Sequence, residues 1–255
     1  MSAAAPTDLP GPPALSQLEH PAVFLDLDGT LAAIEPRPED VKPEPWRTSL
    51  LQRLQLRLDG RLAVISGRPL EEVDAILEGA VSAVAAVHGL VRRRADGVVI
   101  KAPPHPALAA ARQELQAMAE RRPGLKLEDK GLSLALHYRQ APELGGEVVS
   151  EGLSLSSRHG LKLQLGAMVA ELCTPGFHKG SAVRAFMAEP PFRGGYPLFV
   201  GDDLTDEDGF KAAQELGGLG VLAGPRRPTS AQRQLAGVEQ VRDWLQAGVL
   251  QGAAS

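Results

Sequence analysis

The chain has 255 residues, 44% of them hydrophobic, and a formal net charge of −4. That length holds one large domain or a core with a smaller insertion, and the apolar content supports a buried core, which excludes the disordered classes. So weak a charge argues against wholesale binding of nucleic acid or of an anionic membrane.

Residues 1–13 are rich in Ala and Pro and lack the charged start and apolar stretch of a signal peptide. Residues 1–19 are expected to form a disordered tail. No apolar run approaches the ~18 residues of a membrane span. The lone cysteine, Cys173, cannot form an internal disulfide, which suits the reducing cytoplasm. One thiol is also too few for a Cys₄ zinc site.

Short apolar runs at 22–27, 61–65, 83–87, 197–200 and 219–223 end in polar or glycine-containing loops, as strands do. Helical patterns at 44–58, 69–77, 180–187 and 205–216 lie between them. Strands apolar throughout and alternating with helices predict a parallel sheet covered on both faces. The expected fold is a doubly wound, Rossmann-like α/β core over 20–103 and 174–255. Its ligands would sit beyond the carboxyl ends of the strands.

The stretch 104–173 reads differently. A helix at 106–121 precedes two alternating apolar/polar segments, 125–130 and 132–139, with Lys130-Gly131 as the turn between them. A second helix at 144–158 leads to strands at 161–165 and 168–172. Helix–strand–strand twice over predicts a small antiparallel sheet with helices on one face, inserted as a separate α+β cap domain. His105, His159 and His178 fall in loops or polar stretches and read as surface. Arg92-Arg93-Arg94 reads as a solvated hairpin face, since no aromatic platform accompanies it.

The first strand runs into Asp26-Leu27-Asp28-Gly29-Thr30, two carboxylates at i and i+2 that start on one face. One carboxylate can attack phosphorus while the other protonates the leaving oxygen and then activates water. Bare carboxylates repel a phosphate dianion, so a cation is required. Gly201-Asp202-Asp203-Leu204-Thr205-Asp206 closes another apolar strand with the missing oxygen ligands, and without paired histidines that favours Mg²⁺. Glu207 and Asp208 read as an acidic helix start. Ser66-Gly67-Arg68 can hold phosphate at a helix start, and Lys179 can neutralise its oxygens. His178 stands where a P-loop needs glycine, which excludes an ATP site there.

In order, Asp26–Thr30, Ser66–Arg68, Lys179 and Gly201–Asp203 resemble the four motifs of the haloacid dehalogenase superfamily. The resemblance implies Asp26 as nucleophile, Asp28 as general acid/base, and Mg²⁺ held by Asp26, the Asp28 backbone carbonyl and Asp202. It further implies phosphate held by Ser66, Gly67 and Lys179, with Thr30, Arg68, Asp203 and Asp206 in support. More narrowly, from about residue 20 to 245 the chain is similar to the trehalose-6-phosphate phosphatase family. The segments that carry this are Asp28–Ile34, Val87-His88-Gly89, Glu128–Gly131, His137-Tyr138-Arg139 and Gly201–Glu207.

That likeness implies a cap that reads the disaccharide through Glu128, Lys130, Arg139 and Glu171, with His88 at the mouth of the core. It implies trehalose 6-phosphate as substrate and a functional pairing with a trehalose-6-phosphate synthase. The alternative is another sugar phosphate such as sucrose 6-phosphate. Strand alternation agrees: with the leucines of 125–138 packed on helices, Glu128, Lys130 and Arg139 share the open face. Two departures stand out. Ala167 replaces a lysine common in the family, and Glu171-Leu172-Cys173-Thr174-Pro175 differs from the usual Glu-x-x-Pro.

Overall fold

The computed structural model describes residues 9–250 apart from Ala167, so Ala167 and residues 1–8 of the expected tail lie outside the described residues. In chain order the elements are β1 (Pro21–Leu25), α1 (Pro45–Arg57), β2 (Leu62–Ile65), α2 (Leu70–Leu77), β3 (Ala83–Ala86), β4 (Val91–Arg93) and β5 (Val99–Lys101). Next come α3 (Leu108–Arg121), β6 (Lys126–Asp129), β7 (Ser133–His137), α4 (Gly145–His159), β8 (Lys162–Gly166) and β9 (Val169–Cys173). The last are α5 (Lys179–Met187), β10 (Tyr196–Gly201), α6 (Glu207–Glu215), β11 (Leu219–Ala223), β12 (Arg233–Leu235) and α7 (Val238–Leu250). The chain divides into two compact units, Met1–Ile100 with His178–Ser255, and Lys101–Phe177.

The first unit is built on an eight-stranded sheet of order β12-β11-β10-β1-β2-β3-β4-β5. Its strands from β12 to β3 are parallel, and β4 joins antiparallel. Alternation within each strand explains why the runs are apolar throughout. Val23, Leu25, Leu62, Val64, Leu198 and Val200 face one layer, with Leu50, Leu54, Val73 and Leu245 from the helices. Their neighbours Ala22, Phe24, Ala63, Ile65 and Phe199 face the other, with Phe186 and Phe210. Small alanines on the strands make room for phenylalanines there. Truncating a ring such as Phe24 to Ala would cost about 3–5 kcal/mol.

β1 and β10 pair side by side, yet the chain leaves them in opposite directions, toward β2 and toward β11. Between them lies the topological switch point, where sheets of this kind open a crevice for ligands.

Two expectations need correction. Residues 10–17 are not a free tail: Leu15 is buried, Trp244 Nε1 donates to Pro13 O at 2.9 Å and Gln234 N to Pro10 O at 3.0 Å. Gly248 on α7 has no side chain to keep Leu15 away, since a Cβ there would lie 2.6 Å from Leu15 Cδ1. The arginines of 92–94 are not simply solvated either. Arg93 forks onto Asp74 at 2.6 and 2.8 Å, Arg92 pairs with Glu189 and lies over the Phe186 ring, and Arg94 reaches Glu189 at 3.2 Å.

The second unit is a four-stranded antiparallel sheet of order β6-β7-β9-β8. Leu134, Leu136 and Leu172 pack on Leu108, Ala111 and Leu115 of α3 and on Val148 and Leu155 of α4. Period-two alternation then sends Ser133, Ala135 and His137 to the opposite face. Register puts Glu128, Ala135 and Glu171 directly beside one another on β6, β7 and β9. No helix among the described residues is long and apolar enough to cross a membrane.

Candidate active site

The strand β1 ends at Leu25, paired with Val200 of β10, and β10 runs one residue further to Gly201 before it too leaves the sheet. Asp26 N donates to Val200 O at 2.9 Å, which fixes the backbone of Asp26 against its neighbour. Asp202 follows Gly201 at the end of the adjoining strand. Two glycines let these carboxylates meet. Gly29 has φ +83°, and a Cβ there would lie 2.1 Å from Asp202 Oδ2. A Cβ on Gly201 would lie 2.3 Å from Asp206 Cγ.

Lys179 opens α5. His178 caps that helix, accepting from Ser181 N at Nδ1 (3.3 Å), while its own N–H donates to Ser181 Oγ at 3.0 Å. His178, expected as a surface residue, is thus a capping group that aims the lysine. Lys179 Nζ lies 2.7 Å from Asp26 Oδ1 and 2.6 Å from Asp206 Oδ1. Asp206 is fully buried, and its Oδ2 accepts from Asp202 N (3.0 Å) and Asp203 N (2.9 Å). Asp206 therefore ties the ammonium to the loop that carries Asp202.

Carboxylate oxygens of Asp26, Asp202 and Asp206 all lie within 4.8 Å of one another. Burial, then repulsion from Asp206 and Asp202, pushes Asp26 well above the ordinary carboxylate value, with Lys179 opposing. The same burial and the Asp206 charge raise Asp202 to about 7. Burial pulls the Lys179 ammonium down, but Asp206 and Asp26 outweigh it, so the lysine stays charged. Asp202 Oδ1 is buried without a hydrogen-bond partner among the described residues. An orphaned carboxylate oxygen amid like charges, in an all-oxygen donor set, fits a hard divalent cation.

Asp28 points its carboxylate into the fork of Arg68, with Nε to Oδ2 and Nη2 to Oδ1 both at 2.7 Å. Arg68 also donates to Pro38 O at 3.0 Å and to Glu72 at 3.2 Å, which holds the fork in place. Ser66 is buried and its Oγ accepts from Arg68 N at 3.1 Å, so its own O–H is the donor it can turn to a ligand. His88 is buried with its ring against Gly67, where a Cβ would lie 2.6 Å from Nε2. Its backbone N donates to Ser66 O at 2.9 Å, so His88 braces the serine turn. Thr30 is fully buried, and Oγ1 has no partner among the described residues.

The four residues Asp26, Lys179, Asp202 and Asp206 are thus brought together. Asp203 turns aside and caps the next turn through Leu204 N at 2.6 Å. Glu207, expected as a simple acidic helix start, pairs with Arg226 and accepts from Ser230 N at 2.7 Å.

In the inserted unit Lys130 Nζ lies 3.2 Å from Glu171 Oε2, and Ser133 Oγ donates to Glu171 Oε1 at 2.5 Å. His137 Nε2 lies 2.8 Å from Glu128 Oε2. Burial raises Glu128, but the His137 bond and the Lys130 charge outweigh it and hold the carboxyl below its usual range. Arg139 stands two residues past the end of β7. Sequence reasoning missed Ser133 and His137 as members of this group, although both fall on the polar side of the alternation.

The trehalose-phosphatase family profile matches residues 24–239. The chain is 41% identical over 231 residues to the trehalose-6-phosphate phosphatase of Escherichia coli K12, covering 88% of this chain and 85% of that one. Among solved structures, a trehalose-6-phosphate phosphatase related protein superposes with TM-score 0.75 at 26% identity, over 91% of this chain and 98% of that chain. A haloalkanoate-superfamily phosphatase from Bacteroides thetaiotaomicron shares the fold at TM-score 0.59 and 19% identity, over 89% of this chain and 94% of that chain. The chain belongs to the trehalose-phosphatase family.

Proposed function

We propose that the chain hydrolyses trehalose 6-phosphate to trehalose and phosphate, through a phosphoaspartate on Asp26. The observation that carries this reading is the convergence of Asp26, Lys179 and Asp202 at the switch point of a parallel sheet. The 41% identity to the Escherichia coli enzyme supports the substrate.

Asp26 attacks phosphorus in line. Lys179 and the Ser66-Gly67 turn hold the phosphoryl oxygens, where a cation beside developing negative charge lowers the barrier. Asp28 gives its proton to the leaving sugar oxygen and afterwards takes one from the water that hydrolyses phospho-Asp26. The Arg68 fork holds both oxygens of Asp28, so the carboxyl group turns to the leaving oxygen only on release from the fork. Asp26, Asp202 and the backbone carbonyl of Asp28 would hold Mg²⁺, which supplies charge neutralisation between the carboxylates and the phosphate.

The inserted unit acts as the cap that reads the sugar, with Glu128, Lys130, Arg139 and Glu171 toward its hydroxyls. A trehalose-6-phosphate synthase is the class of enzyme that supplies such a substrate. A single buried cysteine suits the cytoplasm as the compartment.

Phosphate release over a panel of trehalose, sucrose and glucose 6-phosphates tests the assignment, with Asp26→Asn as the control. Trehalose 6-phosphate should lead the panel, and Asp26→Asn should lose at least about a thousandfold in turnover. Preference for sucrose or glucose 6-phosphate removes the substrate assignment. Substantial turnover by Asp26→Asn removes the covalent route.

A further inference from the structure

We infer that Ser133 and His137 are positioning residues that fix the two ligand-reading carboxylates of the inserted sheet, Glu171 and Glu128. This rests on the sugar-reading role proposed above for that sheet.

The strand β7 places Ser133, Ala135 and His137 at i, i+2 and i+4, all on the face away from the leucine core. Ala135 stands directly between Glu128 on one side and Glu171 on the other. The two glutamates are two strand spacings apart at the backbone, about 10 Å, so they address separate parts of a ligand. A methyl group between them sets no barrier over the strand. Each glutamate then meets a brace diagonal to it: Ser133 is one row toward Cys173, and His137 is one row toward Lys126.

Both braces are charge-assisted hydrogen bonds of good length. Ser133 Oγ donates to Glu171 Oε1 at 2.5 Å from a fully buried position. His137 Nε2 faces Glu128 Oε2 at 2.8 Å, and since a carboxylate only accepts, Nε2 carries the proton. Lys130 takes the second oxygen of Glu171 at 3.2 Å, so that carboxylate is held from both sides and its plane is set.

Such an arrangement does little for folding. A nearly buried ion pair on a sheet face is commonly matched or exceeded in stability by apolar residues of the same volume. Glutamate has three rotatable side-chain bonds, and without a partner its carboxylate samples many directions. Locking it before a ligand arrives removes that ordering cost from binding. Hydrogen bonds from sugar hydroxyls to carboxylates are directional, so a fixed carboxylate plane turns charge into selectivity.

The test compares kcat/KM for trehalose 6-phosphate with kcat/KM for p-nitrophenyl phosphate, which carries no sugar. Losing one charge-assisted brace should lower this ratio about tenfold in Ser133→Ala and again in His137→Leu. Ser133→Thr, which keeps the hydroxyl, and His137→Gln, which keeps a donor near the same place, should recover most of the loss. Should Ser133→Ala and His137→Leu keep the wild-type ratio, or should Thr and Gln fail to recover it, the braces are refuted while the substrate reading stands. A wild-type ratio near one refutes the substrate reading and the braces together. Because the readout is a ratio on one protein sample, partial misfolding of a variant cancels.

Discussion

The carboxylate group of the core and the polar face of the inserted sheet hold their charges by different means. In the core, main-chain geometry does the placing: Asp26 N is bonded to Val200 O, and Asp206 Oδ2 accepts from two successive backbone N–H groups. On the inserted sheet, side chains place side chains: Ser133 and Lys130 hold Glu171, and His137 holds Glu128. A main-chain site tolerates few residue types because glycine must stand where a Cβ would collide, as at Gly29 and Gly201. A side-chain site can be rebuilt one residue at a time while the sheet stays intact. On the function proposed above, the phosphoryl chemistry rests on the first kind and substrate choice on the second.

Lys179→Ala should break this contrast most strongly if it is wrong. The lysine sits between two buried carboxylates, and removing it strands both charges, a change that costs about 3–5 kcal/mol. Thermal unfolding should fall by roughly 6–20 °C for a chain of this size. Phosphate release should drop for trehalose 6-phosphate and p-nitrophenyl phosphate alike, because a main-chain-fixed centre serves every phosphate ester. A variant that melts like wild type, or loses only the sugar substrate, would contradict that picture.

Gly29→Ala comes next. A methyl group would lie 2.1 Å from Asp202 Oδ2 at a φ of +83°, so Asp202 has to move. The left-handed backbone alone costs about 1 kcal/mol. The larger consequence is for the cation: the Mg²⁺ concentration giving half-maximal activity should rise at least about tenfold, with the same rise for both substrates. An unchanged Mg²⁺ dependence would show that Asp202 and the Gly29 turn do not share the ligand site.

What could be read from the sequence divides along the same line. Asp26, Asp28, Lys179 and Asp202 were legible because each stands at a strand or helix junction that local patterning marks. The run at 219–223 coincides with β11, and the ends of most other strands lie within a residue or two of the expected ones. Pairings between distant side chains left no local trace. Arg93 and Asp74 are 19 positions apart, Arg92 and Glu189 97, so an arginine run that looked solvated proved to be clamped. The packing of Leu15 on α7 was hidden for the same reason. Helix α7 does carry a local signal, with Val241 and Leu245 at i and i+4 both fully buried.

On the inserted sheet, Glu171→Gln sharpens the contrast with a smaller effect. The amide keeps an acceptor for Ser133 but loses the charge that pairs with Lys130. The ratio of kcat/KM for trehalose 6-phosphate to that for p-nitrophenyl phosphate should fall roughly tenfold, an effect carried by one charged hydrogen bond. Equal losses on both substrates would move Glu171 from substrate choice to general stability.

The smallest effect belongs to Cys173, the cross-strand neighbour of Ser133 on β9. It is 1% exposed, and burial, with Glu171 adding to it, pushes its thiol up to about 12. A thiol raised that far from its ordinary value near 8.5 is almost wholly protonated at pH 8, so the reactive thiolate is scarcer by on the order of a thousandfold. Ellman's reagent should leave the native protein unlabelled over the time in which the guanidinium-unfolded chain reacts completely. Cys173→Ala should turn over both phosphate esters within about twofold of wild type, since the thiol touches neither carboxylate group and the change removes one small buried atom. Labelling of the native protein at the unfolded rate would mean that the sheet opens readily beside Ser133. A strand that opens there could not keep the Glu171 carboxylate in a single plane, so this least consequential residue for turnover reports most directly on whether the polar face is rigid.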